Sequence, residues 1–284
     1  MREPYSSSHC VVIGIDGSRS ALQAALWAVD EAADQDVPLR LVCAIDSSES
    51  DLGKAATKQA VAKNAIRDAS AAIESRRKPV KIEAEIVRDR PIAALLEESC
   101  SAAMVCVGST GLKHAMGGRI GSTALALVAS ARCPVAVVPI SAVPTPAGCV
   151  LAVVDESPSS RAVLGLAVRE AHLRGVPLHV LTAAPHEGNG MHDANEAAAV
   201  SARLERYLAP WRRSHPTLEI QPIASHGSLI NYLEYLHRKA QRVQLLVVDP
   251  GLAGPTDILL GPSGRAALNA TRCILLIGER QCRL

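Results

Sequence analysis

One stretch of this chain carries residue types and spacings suited to holding phosphate. Val107-Gly108-Ser109-Thr110-Gly111 is followed, nine residues later, by Gly121-Ser122-Thr123. Glycines at such a turn permit positive φ and close approach of the backbone to a ligand. Ser122 and Thr123 add hydroxyls beside the N–H groups of a helix N-terminus, a natural anion site. Asp16 follows an apolar run, Val11 to Ile15, and supplies a carboxylate near the same place. No Walker lysine motif, Gly-x-Ser-x-Gly elbow or HExxH segment occurs, so the chemistry suggested is binding rather than bond-breaking. No catalytic residue and no metal site is expected. The nearest cations are Arg19, Lys113, His114 and Arg119, the last three in the loop joining the two glycine elements. His186, Glu187, His192 and Asp193 fit no standard zinc spacing and read as a solvated loop.

These residues need strands and helices to position them. Short Val/Leu/Ile runs at Val11–Ile15, Leu39–Ile45, Lys81–Val87, Ala103–Val107 and Val135–Ile140 have strand length. Between them lie helical patterns over Ser20–Asp34, Leu52–Glu74, Ile92–Cys100 and Thr123–Ala131. Asp16-Gly17-Ser18 reads as a turn and N-cap. Strands apolar on both faces, alternating with helices, define a parallel sheet covered on both sides. The expected fold is α/β and doubly wound, with ligands beyond the carboxyl ends of the strands, where the strand order switches. Gly108 ends the fourth strand and Asp16 the first, which places both at that switch.

The pattern occurs twice. At an offset of 139, Cys10–Ile45 aligns with Cys149–Ala184, with 13 identities in 36 positions, including Asp16/Asp155, Ser18/Ser157 and Glu31/Glu170. Arg132-Cys133 also matches Arg272-Cys273. Two tandem domains are expected, 1–143 and 147–284, joined through the Pro- and Gly-containing segment near Pro144 and Gly148.

Composition narrows the function. Of 284 residues 48% are hydrophobic, and 30 basic side chains stand against 28 acidic ones. A net charge of +2 argues against nucleic acid or an anionic membrane as partner. With no Phe, four Tyr and two Trp, stacking platforms for single strands are missing, and Ala, Val, Leu and Ile must build the core. The first residues have no signal-peptide h-region, no apolar run is long enough to span a membrane, and the eight cysteines occur singly. A cytoplasmic location with reduced, mostly buried cysteines follows as an expectation. Trp27 and Trp211 read as packing residues, Arg76-Arg77-Lys78 as the C-terminal turn of a helix, and His226-Gly227-Ser228 as a helix cap.

Gly-x2-Gly-x9-Gly-Ser after an apolar strand, combined with Ile15-Asp16-Gly17-Ser18, resembles the universal stress protein family over both copies. The resemblance is to its tandem-domain members of actinobacterial type. It implies a five-stranded parallel sheet ordered 3-2-1-4-5 in each domain and ATP, with Mg2+, as ligand of the glycine-containing copy. Residue by residue, it implies nucleotide contacts from Ile15, Asp16, Ala44, Gly108, Gly111, Gly121, Ser122 and Thr123, with adenine near Ile15 and Ala44. It also implies a dimer contact through the last strand. Two fused copies would make that contact within one chain as a pseudo-dimer, through Pro134–Ile140 and Cys273–Gly278, and a homodimer of whole chains is a further expectation.

The second copy departs from the motif. Asp249 stands in place of Gly108, Leu252 of Gly111 and Pro262 of Ser122. Weak or absent binding is expected there, through negative charge at the phosphate position and loss of one N–H. A shifted loop around Gly251 and Gly254 is the alternative. For the whole protein the expectation is a nucleotide-sensing stress or regulatory protein, not an enzyme, acting on an unknown protein partner. A slow ATPase or nucleotidyl-transfer enzyme and a nucleotide-independent scaffold are the alternatives.

Overall fold

Runs such as Val11-Val12-Ile13 are apolar without alternation because both faces of the strand are covered. All three side chains are fully buried. The computed structural model describes residues 9–46, 52–111, 120–142, 147–155, 157–182, 194–223, 229–251, 259 and 261–279. The chain divides into two units, Met1–Ala142 and Val143–Leu284.

In the first unit the order along the chain is β1 (Val11–Gly14), α1 (Arg19–Asp34), β2 (Leu39–Ala44), α2 (Leu52–Glu74) and β3 (Ile82–Val87). There follow α3 (Pro91–Glu98), β4 (Met104–Gly108), α4 (Ser122–Ser130) and β5 (Val135–Val138). The strands pair in parallel in the order β3-β2-β1-β4-β5. The second unit repeats this with β6 (Cys149–Val154), α5 (Pro158–Arg174), β7 (Leu178–Thr182), α6 (Ala194–Ser214) and β8 (Ile220–Ile223). It continues with α7 (Leu229–Arg238), β9 (Val243–Val248), α8 (Pro262–Thr271) and β10 (Ile274–Ile277). Its parallel order is β8-β7-β6-β9-β10. Each unit therefore has the 3-2-1-4-5 sheet expected for a doubly wound fold, and the order reverses between β1 and β4 and between β6 and β9.

The core is made mostly from Ala, Val, Leu and Ile side chains. Ala24, Ala25, Ala28, Val29 and Ala32 form the buried face of α1, and Trp27 packs with them. Ser18 caps α1, its Oγ accepting from Ala21 N–H at 3.1 Å. Cys10, Cys43, Cys106, Cys133, Cys149 and Cys273 are buried free thiols. Burial pushes the Cys149 thiol up to about 12, so it behaves as a small hydrophobe rather than a nucleophile.

Two local expectations are corrected. The strand expected to run to Ile140 ends at Val138, and Ile140 is 50% exposed. The Arg76-Arg77-Lys78 run lies beyond α2 rather than in its last turn, with Arg77 at φ 54°. Its Lys78 instead pairs with Asp30 of α1. Among the described residues no helix is long and apolar enough to cross a membrane.

Candidate functional site

At the carboxyl ends of β1 and β4 the first unit encloses a cavity of about 350 Å³. That lies within the ~300–1,000 Å³ usual for small-molecule sites. All eight residues singled out from the sequence line it: Ile15, Asp16, Ala44, Gly108, Gly111, Gly121, Ser122 and Thr123. Pattern reading missed the opposite wall. Pro91 and Leu95, at the start of α3, join Val42 and Ala44 to make an apolar surface. Pro91 at the first position of a helix, shortly after the end of β3, was the available signal for that wall.

Three elements converge on the polar side. The Asp16 carboxylate accepts from Ser18 N–H at 2.9 Å, which locks the β1–α1 turn, with Gly17 at φ 81°. Ser18 Oγ lies 3.1 Å from Ser20 Oγ, and Ser20, almost fully buried, donates to the Thr110 carbonyl. A chain of hydroxyls thus ties the first turn of α1 to the loop after β4. That loop is fixed at both ends, Ser109 N–H donating to Val138 O and Gly121 N–H to Ser109 O, each at 2.8 Å. Gly121 is the N-cap of α4 and offers no side chain to the first-turn N–H groups, in contrast to Ser18 on α1. Those groups, with the Ser122 and Thr123 hydroxyls, make the cavity's anion-receptive end.

Of the two glycine properties expected, positive φ is absent, and close approach is found at Gly108 and Gly111. None of Gly108, Gly111 and Gly121 has a positive φ. A Cβ on Gly108 would stand 2.6 Å from Ala21 N, so this glycine lets α1 seat against β4. At Gly121 the nearest atoms to a Cβ are Gly111 N at 3.7 Å and Ser109 O at 3.8 Å, so a side chain there has room.

The second unit reuses the same positions differently. Asp249, expected to face incoming phosphate, is instead 1% exposed and turned inward. Its Oδ1 accepts from Gly251 N–H at 2.7 Å and its Oδ2 lies 3.3 Å from Ser160 Oγ. Ser160 also donates to Asp155 Oδ1 at 2.7 Å, while Ser157 N–H donates to the same oxygen at 2.8 Å. Burial acts to raise the Asp155 carboxyl, but the bonds from Ser157 and Ser160 outweigh it and hold the group below its ordinary value. Tyr207 of α6 reaches the same turn. Its phenol is raised by burial, with Asp155 and Asp249 adding to the shift and Arg161 opposing it. At the start of α8, Gly261 is the N-cap, and Pro262 in the first turn removes an N–H. Lys113, His114, Arg119, Leu252, Gly254 and Cys282 lie outside the described residues. So do the segments holding His186 to Asp193 and His226 to Ser228.

The architecture, a doubly wound α/β unit used twice with its cavity at the β1/β4 switch, defines a class, and comparison with known proteins makes it specific. The model of the universal stress protein family matches residues 9–139. A universal stress protein of Mycobacterium tuberculosis is 42% identical over 276 residues, covering 95% of this chain and 96% of the relative. Another from the same organism is 37% identical over 273 residues, 95% and 96% of the two chains. The crystal structure of a universal stress protein from Archaeoglobus fulgidus superposes with a TM-score of 0.70 at 14% identity, covering 97% of each chain. The chain belongs to the universal stress protein family. Its relatives match it across both units.

Proposed function

We propose that this protein is a nucleotide-binding regulator that holds ATP, with Mg2+, in its first unit and performs little or no catalysis. The observation carrying this reading is the convergence of all eight motif residues on one cavity at the β1/β4 switch. The apolar wall of Ile15, Val42, Ala44, Pro91 and Leu95 suits a purine. The Asp16 carboxylate, 3.0 Å from where a Cβ of Gly111 would lie, suits ribose hydroxyls as acceptor. The α4 N-terminus, with Ser122 and Thr123, suits phosphate oxygens. Mg2+ would accompany the phosphates and offset their charge.

The site is poorly equipped for catalysis: Asp16 is the one titratable side chain among the described lining residues, and its Oδ1 already accepts from Ser18. Bound nucleotide would instead shift the population of shapes the unit presents to a partner protein. Mass spectrometry of small molecules released from the purified protein tests this. ATP at one per chain supports the reading. ADP appearing with turnover makes the protein an ATPase, and nothing bound, even after ATP is supplied, makes it a scaffold.

A further inference from the structure

Away from the nucleotide cavity, two histidines 43 positions apart in sequence meet across the seam between α5 and α6. His172 Nε2 lies 3.2 Å from His215 Nδ1. We propose that this pair is a bidentate binding site for a first-row transition-metal dication of the Zn2+, Ni2+ and Cu2+ class, clamping the end of α5 to the end of α6.

The distance carries the argument. Imidazole nitrogens bind such ions at roughly 2.0–2.1 Å, so two in adjacent coordination positions stand about 2.9–3.4 Å apart. This pair is already at that separation. The donors are also the right ones, because imidazole nitrogen suits zinc, nickel and copper, whereas magnesium and calcium take oxygen.

A packing contact on the same seam presets the geometry. Trp211 of α6 lies over Gly165 of α5, where a Cβ would stand 3.4 Å from the Trp211 ring. His172 follows Gly165 by two helical turns and His215 follows Trp211 by about one, so both rings emerge from one seam. His215 is held further by its ring, stacked on Trp211 with centroids 6.2 Å apart and planes 16° from parallel. Its backbone N–H donates to Trp211 O at 2.9 Å, which extends the helical bonding past Ser214.

Without metal the two nitrogens share one hydrogen bond. An ion takes both lone pairs, so His172 then carries its proton on Nδ1 and His215 on Nε2. His172 is exposed, so ions reach the site and water completes the coordination. Among the described residues no group of three or more His, Cys, Asp or Glu is placed to hold a metal, so the described residues contribute two nitrogens. A two-ligand site of this kind acts as a reversible clamp rather than a permanent structural centre.

The test uses the full-length chain without an affinity tag, in nucleotide-free buffer at pH 7.5, titrated with NiCl2 and with ZnCl2. Calorimetry gives affinity, and nickel quenching of tryptophan emission reports proximity to Trp211. His172→Ala and His215→Ala are compared with the parent, after unfolding curves in EDTA establish that both are folded. Loss of one of two ligands is expected to weaken binding about tenfold or more in either variant. The quench disappears, and zinc no longer raises the unfolding temperature. The double variant, left with neither nitrogen, is expected to bind no tighter than either single one. Unchanged isotherms and quenching in both variants would overturn the proposal and assign any bound metal to other histidines. A parent protein that binds neither ion would overturn it as well.

Discussion

Ser160 Oγ lies 3.3 Å from Asp249 Oδ2 in the second unit, at the junction where Ala21 of the first unit seats directly on Gly108. Where the first unit has a glycine and a backbone contact, the second has an aspartate, a serine and a buried polar knot. With Asp155 bonded to the same hydroxyl, the strand-end carboxylates of this unit are turned onto the protein itself. Binding asymmetry follows. Asp16→Ala should weaken nucleotide binding about tenfold or more, the cost of losing a charged acceptor. Asp155→Ala should leave affinity and stoichiometry nearly unchanged. Equilibrium titration of each variant with ATP checks this, and equal losses in both would mean that the second unit also binds.

Ser20 is expected to position the phosphate loop without touching nucleotide. Its hydroxyl holds the Thr110 carbonyl, so Ser20→Ala should leave that loop less fixed and cost about 1 kcal/mol, roughly fivefold, in ATP affinity. Gly108→Ala acts elsewhere. It should destabilise the first unit by about 1–3 kcal/mol through overlap with the α1 backbone. Urea unfolding beside ATP titration separates the two effects. A Ser20→Ala protein with native affinity would remove the hydroxyl chain from the binding mechanism.

The second unit should lose stability in acid through Asp155. Its carboxyl is held below the ordinary value, so its contribution is complete above the unfolded value of about 3.9. That contribution disappears as pH falls further, through the folded value. Ser160→Ala removes one of the bonds that depress it, and should flatten the decline between pH 5 and pH 2.5. Unfolding midpoints across that range are the measurement, and parallel curves for parent and variant would contradict the assignment.

A buried ion pair anchors α5. Glu170 is fully buried and meets Arg174 at 2.5 Å and Arg169 at 3.4 Å. Arg174→Ala would leave the carboxylate with its weaker partner and cost about 3 kcal/mol of stability. Chemical denaturation of the variant tests this, with a loss below about 1 kcal/mol, the level of an ordinary surface pair, as the contradicting result.

Much of the site could be read from residue order alone because its parts sit where strands end and helices begin. Gly108, Gly121 and Asp16 are punctuation in the pattern of apolar runs, and the internal repeat supplied a second copy against which to align them. Side-chain direction could not be read this way. Asp249 was expected to face the ligand, yet burial and a Ser160 hydroxyl turned it inward. Pro91 and Leu95 reach the cavity only because parallel crossovers bring α3 over β1, a relation no local pattern contains. The His172–His215 contact depends on how α5 meets α6, and the two residues stand 43 positions apart.

Titration of the parent chain and of Gly121→Val with ATP bears most directly on the proposed function. Gly121 has an ordinary extended φ of −67°, and a Cβ there meets nothing closer than 3.7 Å, so the variant should fold like the parent. Its added methyl groups would occupy the space between Gly111 N and the α4 N-terminus, where phosphate is proposed to sit. One ATP per parent chain, and no measurable binding by a folded Gly121→Val protein, is the expected result. Unchanged affinity in that variant, or two ATP per parent chain, would contradict it.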